Sequence, residues 1–113
     1  MGRAPRRAAG ATSLSAALVV RAQACAEIDD AFEWYRERSL KAAVDFLAVV
    51  DDALTEIAED PERFPVVHGR LRRIVLRRFP YAVYYKIFPR TISIVDVIHG
   101  HRHPDTWLSR AGP

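Results

Sequence analysis

Three histidines, His99, His101 and His103, occupy alternate positions in the run Val97-Ile98-His99-Gly100-His101-Arg102-His103-Pro104. On an extended backbone this spacing puts three imidazoles on one face, a pattern suited to zinc or nickel. Gly100 and Pro104 break the extended geometry, however, and no cysteine or carboxylate cluster lies nearby. A polar strand end is the plainer reading, and no metal or cofactor is expected. Arg70, Arg72, Arg73, Arg77 and Arg78 form a second cluster. Guanidinium favours planar contacts to phosphate and carboxylate. On one continuous strand Arg70, Arg72 and Arg78 share a face, and Arg73 and Arg77 the other. Tyr81, Tyr84 and Tyr85 follow closely, and aromatics beside arginines stack bases in nucleic-acid readers. Pairing of these arginines with helical acids is an equal alternative. Trp34-Tyr35 reads as core. The sequence has no phosphate-binding glycine loop, no paired-cysteine zinc motif and no nucleophile elbow.

The elements that must position these residues follow from apolar period. Leu18–Ala22 suits a first strand. From Ala24 the period changes: Ala24, Ile28, Ala31 and Tyr35 follow i, i+4, i+7, i+11, one face of a helix. Ser39 ends that run and can cap the next. Leu40–Glu59 is the longest periodic stretch, with Ala43, Phe46, Leu47, Val50, Leu54 and Ile57 on its face, and Asp60-Pro61 stops it. So short a link requires an antiparallel helical hairpin. Three strands are expected afterwards. They are Leu71–Phe79; Tyr81–Phe88, alternating Tyr81, Val83, Tyr85 and Ile87 against the rest; and Thr91–Ile98, alternating Ile92, Ile94, Asp96 and Ile98 against Ser93, Val95 and Val97. The fold class is α+β, in the order β-α-α-β-β-β, with the hairpin packed on a small twisted antiparallel sheet that the first strand joins at an edge or the centre.

The chain has 113 residues, half of them apolar, enough for one compact domain. Residues 1–15 are small, basic and without period, and are expected to be a disordered tail; residues 16–110 are expected to form the single domain. One cysteine, Cys25, forbids an internal disulfide and suits a reducing cytoplasm. No apolar run approaches the ~18–20 residues that cross a bilayer. The net charge of +3 is segregated: +4 over residues 1–23, −8 over 24–63 and +7 over 64–113. The acids belong to the hairpin and the bases to the sheet, which sets what each surface attracts.

Four pieces in fixed order carry a resemblance: Ala24–Arg38 with Glu27-Ile28 and Trp34-Tyr35; Asp60-Pro61 with Phe64-Pro65; Phe79-Pro80-Tyr81-Ala82-Val83-Tyr84-Tyr85; and Val97-Ile98-His99-Gly100-His101-Arg102. Together they resemble the ParE/RelE superfamily of type II toxin–antitoxin toxins, often described as plasmid stabilisation proteins. The resemblance implies a cytoplasmic toxin neutralised by a cognate antitoxin in a hetero-oligomer. The RelE-like branch cleaves messenger RNA on the ribosome, with cationic groups around the scissile phosphate and general acid–base help to the 2′-hydroxyl. Arg102 matches one of its arginines, whereas Ala82 and Leu108 stand where it has an arginine and a tyrosine. His99, Arg72 and Arg73 are candidates to substitute beside Arg102. The ParE-like branch, known for poisoning DNA gyrase by binding, is matched better through Trp34-Tyr35, Phe79-Pro80-Tyr81 and His99-Gly100-His101-Arg102.

The leading expectation is therefore a non-catalytic ParE-like toxin. Target-contact candidates are Arg70, Arg72, Arg77, Tyr84, His101 and Arg102. Antitoxin-contact candidates are Trp34, Tyr35, Phe46 and Val50. A RelE-like endonuclease acting on ribosome-bound message is the alternative, and a small metal-binding domain built on His99, His101 and His103 is the third reading.

Overall fold

The computed structural model describes residues 17–100. A short strand β1 (Ala17–Val20) leads through Arg21 into helix α1 (Ala22–Arg36), then into helix α2 (Leu40–Glu59). A 3-10 turn (Pro61–Arg63) precedes strands β2 (Val66–His68), β3 (Leu71–Val75), β4 (Tyr81–Ile87) and β5 (Thr91–His99). The five-stranded sheet has the order β1-β5-β4-β3-β2. β1 lies at one edge, parallel to β5, and the other pairings are antiparallel, so the sheet is mixed.

The hairpin forms as the periodicity requires. Ala24 and Ala31 are buried on α1 with Ile28 and Tyr35 packed beside them, and the small alanines bring the helix close to its neighbours. Ser39 adopts an extended backbone and its hydroxyl accepts from Ala42 N at 3.1 Å, which caps α2. α2 buries Ala43, Phe46, Val49, Val50, Ala53 and Ile57. Asp60 leaves helical geometry and Pro61 opens the 3-10 turn, so α2 ends where proline forbids continuation.

The sheet face under the helices supplies Ile74, Val83, Tyr85, Ile92, Ile94 and Val97 to the main core. The opposite face carries a second buried cluster of Leu71, Ala82, Tyr84 and Ile98, with Val67 and Val95 against it.

Three features depart from the expected pattern. A β-bulge falls where Tyr84 pairs with Asp96 but Tyr85 pairs with Ile94, leaving Val95 as the extra residue. It inverts the alternation of β5, so Val97 joins the helix-side core and Ile98 the opposite cluster. β3 stops at Val75 instead of running to Phe79, because Arg78 takes a left-handed backbone with φ 67°. The short edge strand β2 is an addition; it turns into β3 at Gly69, whose φ of 55° suits glycine.

Where β1 ends, α1 takes over the exposed edge of β5. Arg21 N donates to Ile94 O at 2.9 Å, and Val97 N donates to Glu27 Oε1 at 2.8 Å. A side-chain carboxylate there replaces a strand partner for a backbone N–H.

Candidate functional site

The expected arginine face does not exist as one surface, because only Arg72 and Arg73 lie within β3. Arg72 faces the helix side, paired with Tyr85, and donates to Glu62 O at 3.1 Å and Phe64 O at 2.7 Å. It is a clamp on the 3-10 turn and not a free target contact. Tyr85 works beside it, its hydroxyl donating to Pro61 O at 2.6 Å, and burial pushes its phenol up to about 12. Arg70, in the β2–β3 turn, donates to Ile87 O at 2.8 Å and stacks on the Phe88 ring at 4.6 Å. Arg77 lies 3.8 Å from both Asp52 and Glu56 of α2, and Arg78 lies 3.8 Å from Asp45. Arg73 is half-buried on the face away from the helices, opposite Tyr84.

Tyr84 itself is only 2% exposed and belongs to the second buried cluster, which leaves it almost no surface for a target. His99 ends β5 with its ring 5.4 Å from Tyr81. His101, Arg102, His103 and Leu108 lie outside the described residues. Among the described residues no group of three metal-ligating side chains occurs.

The four antitoxin-contact candidates divide. Phe46 and Val50 point into the main core, with exposures of 0% and 4%, and present nothing to a partner. Tyr35 is half-buried at the core rim, its ring 5.4 Å from Phe46 and 5.2 Å from Phe79. Burial, with Tyr81 adding to it, raises the Tyr35 phenol above its ordinary value. Trp34 is half-exposed, with the Arg38 guanidinium 3.7 Å from its ring centroid.

The surface that sequence reasoning missed is a second apolar stripe on α2. Leu40, Val44 and Leu47, spaced i, i+4, i+7, are 63%, 54% and 40% exposed. At 100° per residue they lie about 120° round the axis from the buried face. Trp34 is near the C-terminus of α1, at the same end of the hairpin as Leu40. An apolar stripe at helical spacing suits a helix-in-groove partner, and finishing the burial of each Leu or Val contributes on the order of 1 kcal/mol. The only sequence sign was that α2 carries more apolar residues than one face holds.

Among the described residues, a second unpartnered surface lies at the β3 edge. β2 pairs with β3 at Leu71 and Arg72, and Arg73 N donates to Pro65 O at 3.1 Å. Val75, beyond that pairing, is 60% exposed, and beside it lies a cavity of about 210 Å³ between α2 and β3, lined by Asp52, Glu56, Phe64 and Ile74 among others. An open strand edge is a template for an added strand.

Comparison with known proteins agrees with this architecture. A chain of the chromosomal ParDE toxin–antitoxin system from P. aeruginosa superposes with a TM-score of 0.67 at 15% identity, covering 74% of this chain and 95% of that one. At that identity the likeness is one of fold. No curated protein sequence matches the chain. The family model for the ParE toxin of the type II toxin–antitoxin system parDE matches residues 18–104. That span takes in both helices and all the strands but the first residue of β1, and the chain therefore belongs to the ParE toxin family.

Proposed function

We propose that this chain is the toxin of an antitoxin-neutralised pair and acts by binding its target, DNA gyrase being the candidate, without cutting RNA itself. The antitoxin docks an amphipathic segment on the stripe formed by Leu40, Val44 and Leu47, beside Trp34. The observation that carries the docking reading is this stripe on a helix whose buried face is already satisfied by the sheet. The open β3 edge beside Val75 offers the same segment a place to continue as a strand. The non-catalytic reading is supported by Ala82, which stands where the RNA-cleaving branch has an arginine and is sealed at 1% exposure among Leu71, Tyr84 and Ile98.

Co-purification with the product of the adjacent reading frame tests the docking surface. Val44→Glu and Leu47→Glu should fold as the wild type does and lose the partner. Retention of the partner by both variants would place the antitoxin elsewhere.

A further inference from the structure

The cavity of about 210 Å³ between α2 and β3 is apolar along Val49, Ala53, Phe64, Ile74 and Leu76. Asp52 and Glu56, one turn apart on α2, and Arg77 complete its lining. Arg77 stands 3.8 Å from each carboxylate, and Arg63 stands 3.9 Å from Glu56. Those separations exceed hydrogen-bond length, so among the described residues neither carboxylate accepts a hydrogen bond. Both therefore keep room for a cationic donor at closer range, where a charge-assisted bond is strongest.

The backbone beside the cavity is equally open. Leu76 N donates to Tyr81 O at 2.9 Å, so Val75, its neighbour, turns its own N–H away from β4. Arg73 N points the same way and is taken up by Pro65 O. Past Pro65 the chain leaves the sheet for the 3-10 turn, so among the described residues no strand lies beside Val75. Ile74 belongs to the helix-side core, which puts Val75 on the opposite face. Paired residues share a face. A segment pairing here would put one residue beside Val75 on the outer face, and its two neighbours would project under α2. Those two neighbours stand at alternate positions, within reach of the cavity and of its acidic rim.

We propose that the antitoxin segment taken up at this edge carries a bulky apolar residue and a lysine or arginine at alternate positions, the first filling the cavity and the second bonding Asp52 and Glu56 in place of Arg77. This rests on the antitoxin reading above and adds the chemistry of the partner to it. Burial of an aliphatic or aromatic side chain in the cavity is favourable in proportion to its apolar area. The sign of the charge follows from the hairpin, since residues 24–63 carry −8, a field that favours a cation over an acid. Arg77, with its side chain 70% exposed, has solvent to move into as the cation arrives.

The test is a calorimetric titration of the full chain with the adjacent-frame protein at low and high salt, with amide hydrogen exchange read in the complex. Exchange at the Val75 N–H should slow about tenfold or more on binding. Asp52→Asn together with Glu56→Gln should weaken binding about tenfold and flatten its salt dependence. Val75→Pro removes the outward N–H, spares the bond between Leu76 and Tyr81, and should weaken binding by a similar factor. Circular dichroism of both variants should match the wild type. Unchanged exchange at Val75, or unchanged affinity and salt dependence in the carboxylate variant, would overturn the proposal. If Val44→Glu still loses the partner in that case, the stripe reading stands without it. Absence of any complex with the wild type would overturn both.

Discussion

Tyr85 is fully buried, and its hydroxyl and the Arg72 guanidinium together hold the segment that leads from α2 into the sheet. Tyr85→Phe leaves the Pro61 carbonyl without that donor and should cost about 1–2 kcal/mol in urea unfolding. The sign of its pH effect follows from a folded pKa of about 12 against an ordinary 10. The native state keeps the proton longer than the unfolded chain does, so this contribution is complete below pH 10 and is lost as pH rises toward 12. Wild type should therefore destabilise more than Tyr85→Phe across that interval. Glu27 presents the acid counterpart. Burial raises its carboxyl above 4.5, Gln23 and the Val97 N–H partly offset this, and Asp96 adds to the rise. Its contribution is present below the ordinary value and is lost as pH rises through the folded one. Glu27→Gln keeps an acceptor for Val97 N and removes the charge beside Asp96. It should melt higher than wild type near neutral pH, with the gap closing in acid; a gap that widens in acid would contradict this account.

Among the elements, the hairpin was the most legible in the sequence, because Ala24, Ile28, Ala31 and Tyr35 report one face and Ser39 and Asp60-Pro61 mark its boundaries. Ser39→Ala should cost about 1 kcal/mol by removing the cap to Ala42 N. The sheet was legible in order but not in phase. Ile94-Val95-Asp96 carries no glycine to announce a bulge, and Ile94 and Val95 both suit a strand, yet one inserted residue turns Val97 to the helix-side core and Ile98 to the opposite buried cluster. β2 is three residues long, too short for a period, and the left-handed Arg78 interrupts a run whose composition reads as strand throughout. The candidate docking residues show the same limit. Phe46 and Leu47 are neighbours of similar character, and only the helix's orientation on the sheet buries one and leaves the other 40% exposed. Val44→Glu and Leu47→Glu should leave the melting temperature within about 0.5 kcal/mol equivalent of wild type while breaking antitoxin capture.

Over the whole molecule, the segregated charge is partly cancelled within the fold. Arg77 and Arg78 reach Asp52, Glu56 and Asp45 across the gap between the sheet and α2. Such exposed pairs contribute little individually, so stability should respond weakly to added salt. On the proposed reading, by contrast, any target association through the sheet's cations should weaken with salt over a Debye length of about 10 Å or less. On the proposed reading, the apolar stripe of the acidic hairpin serves the antitoxin, and a surface apart from it serves the target. The most direct measurement of that account is DNA supercoiling by purified gyrase with this chain added, alone and with the adjacent-frame protein. The account predicts that the chain alone blocks supercoiling and that the adjacent-frame protein restores it. Unimpeded supercoiling, together with cleavage of ribosome-bound message by the same preparation, would contradict it.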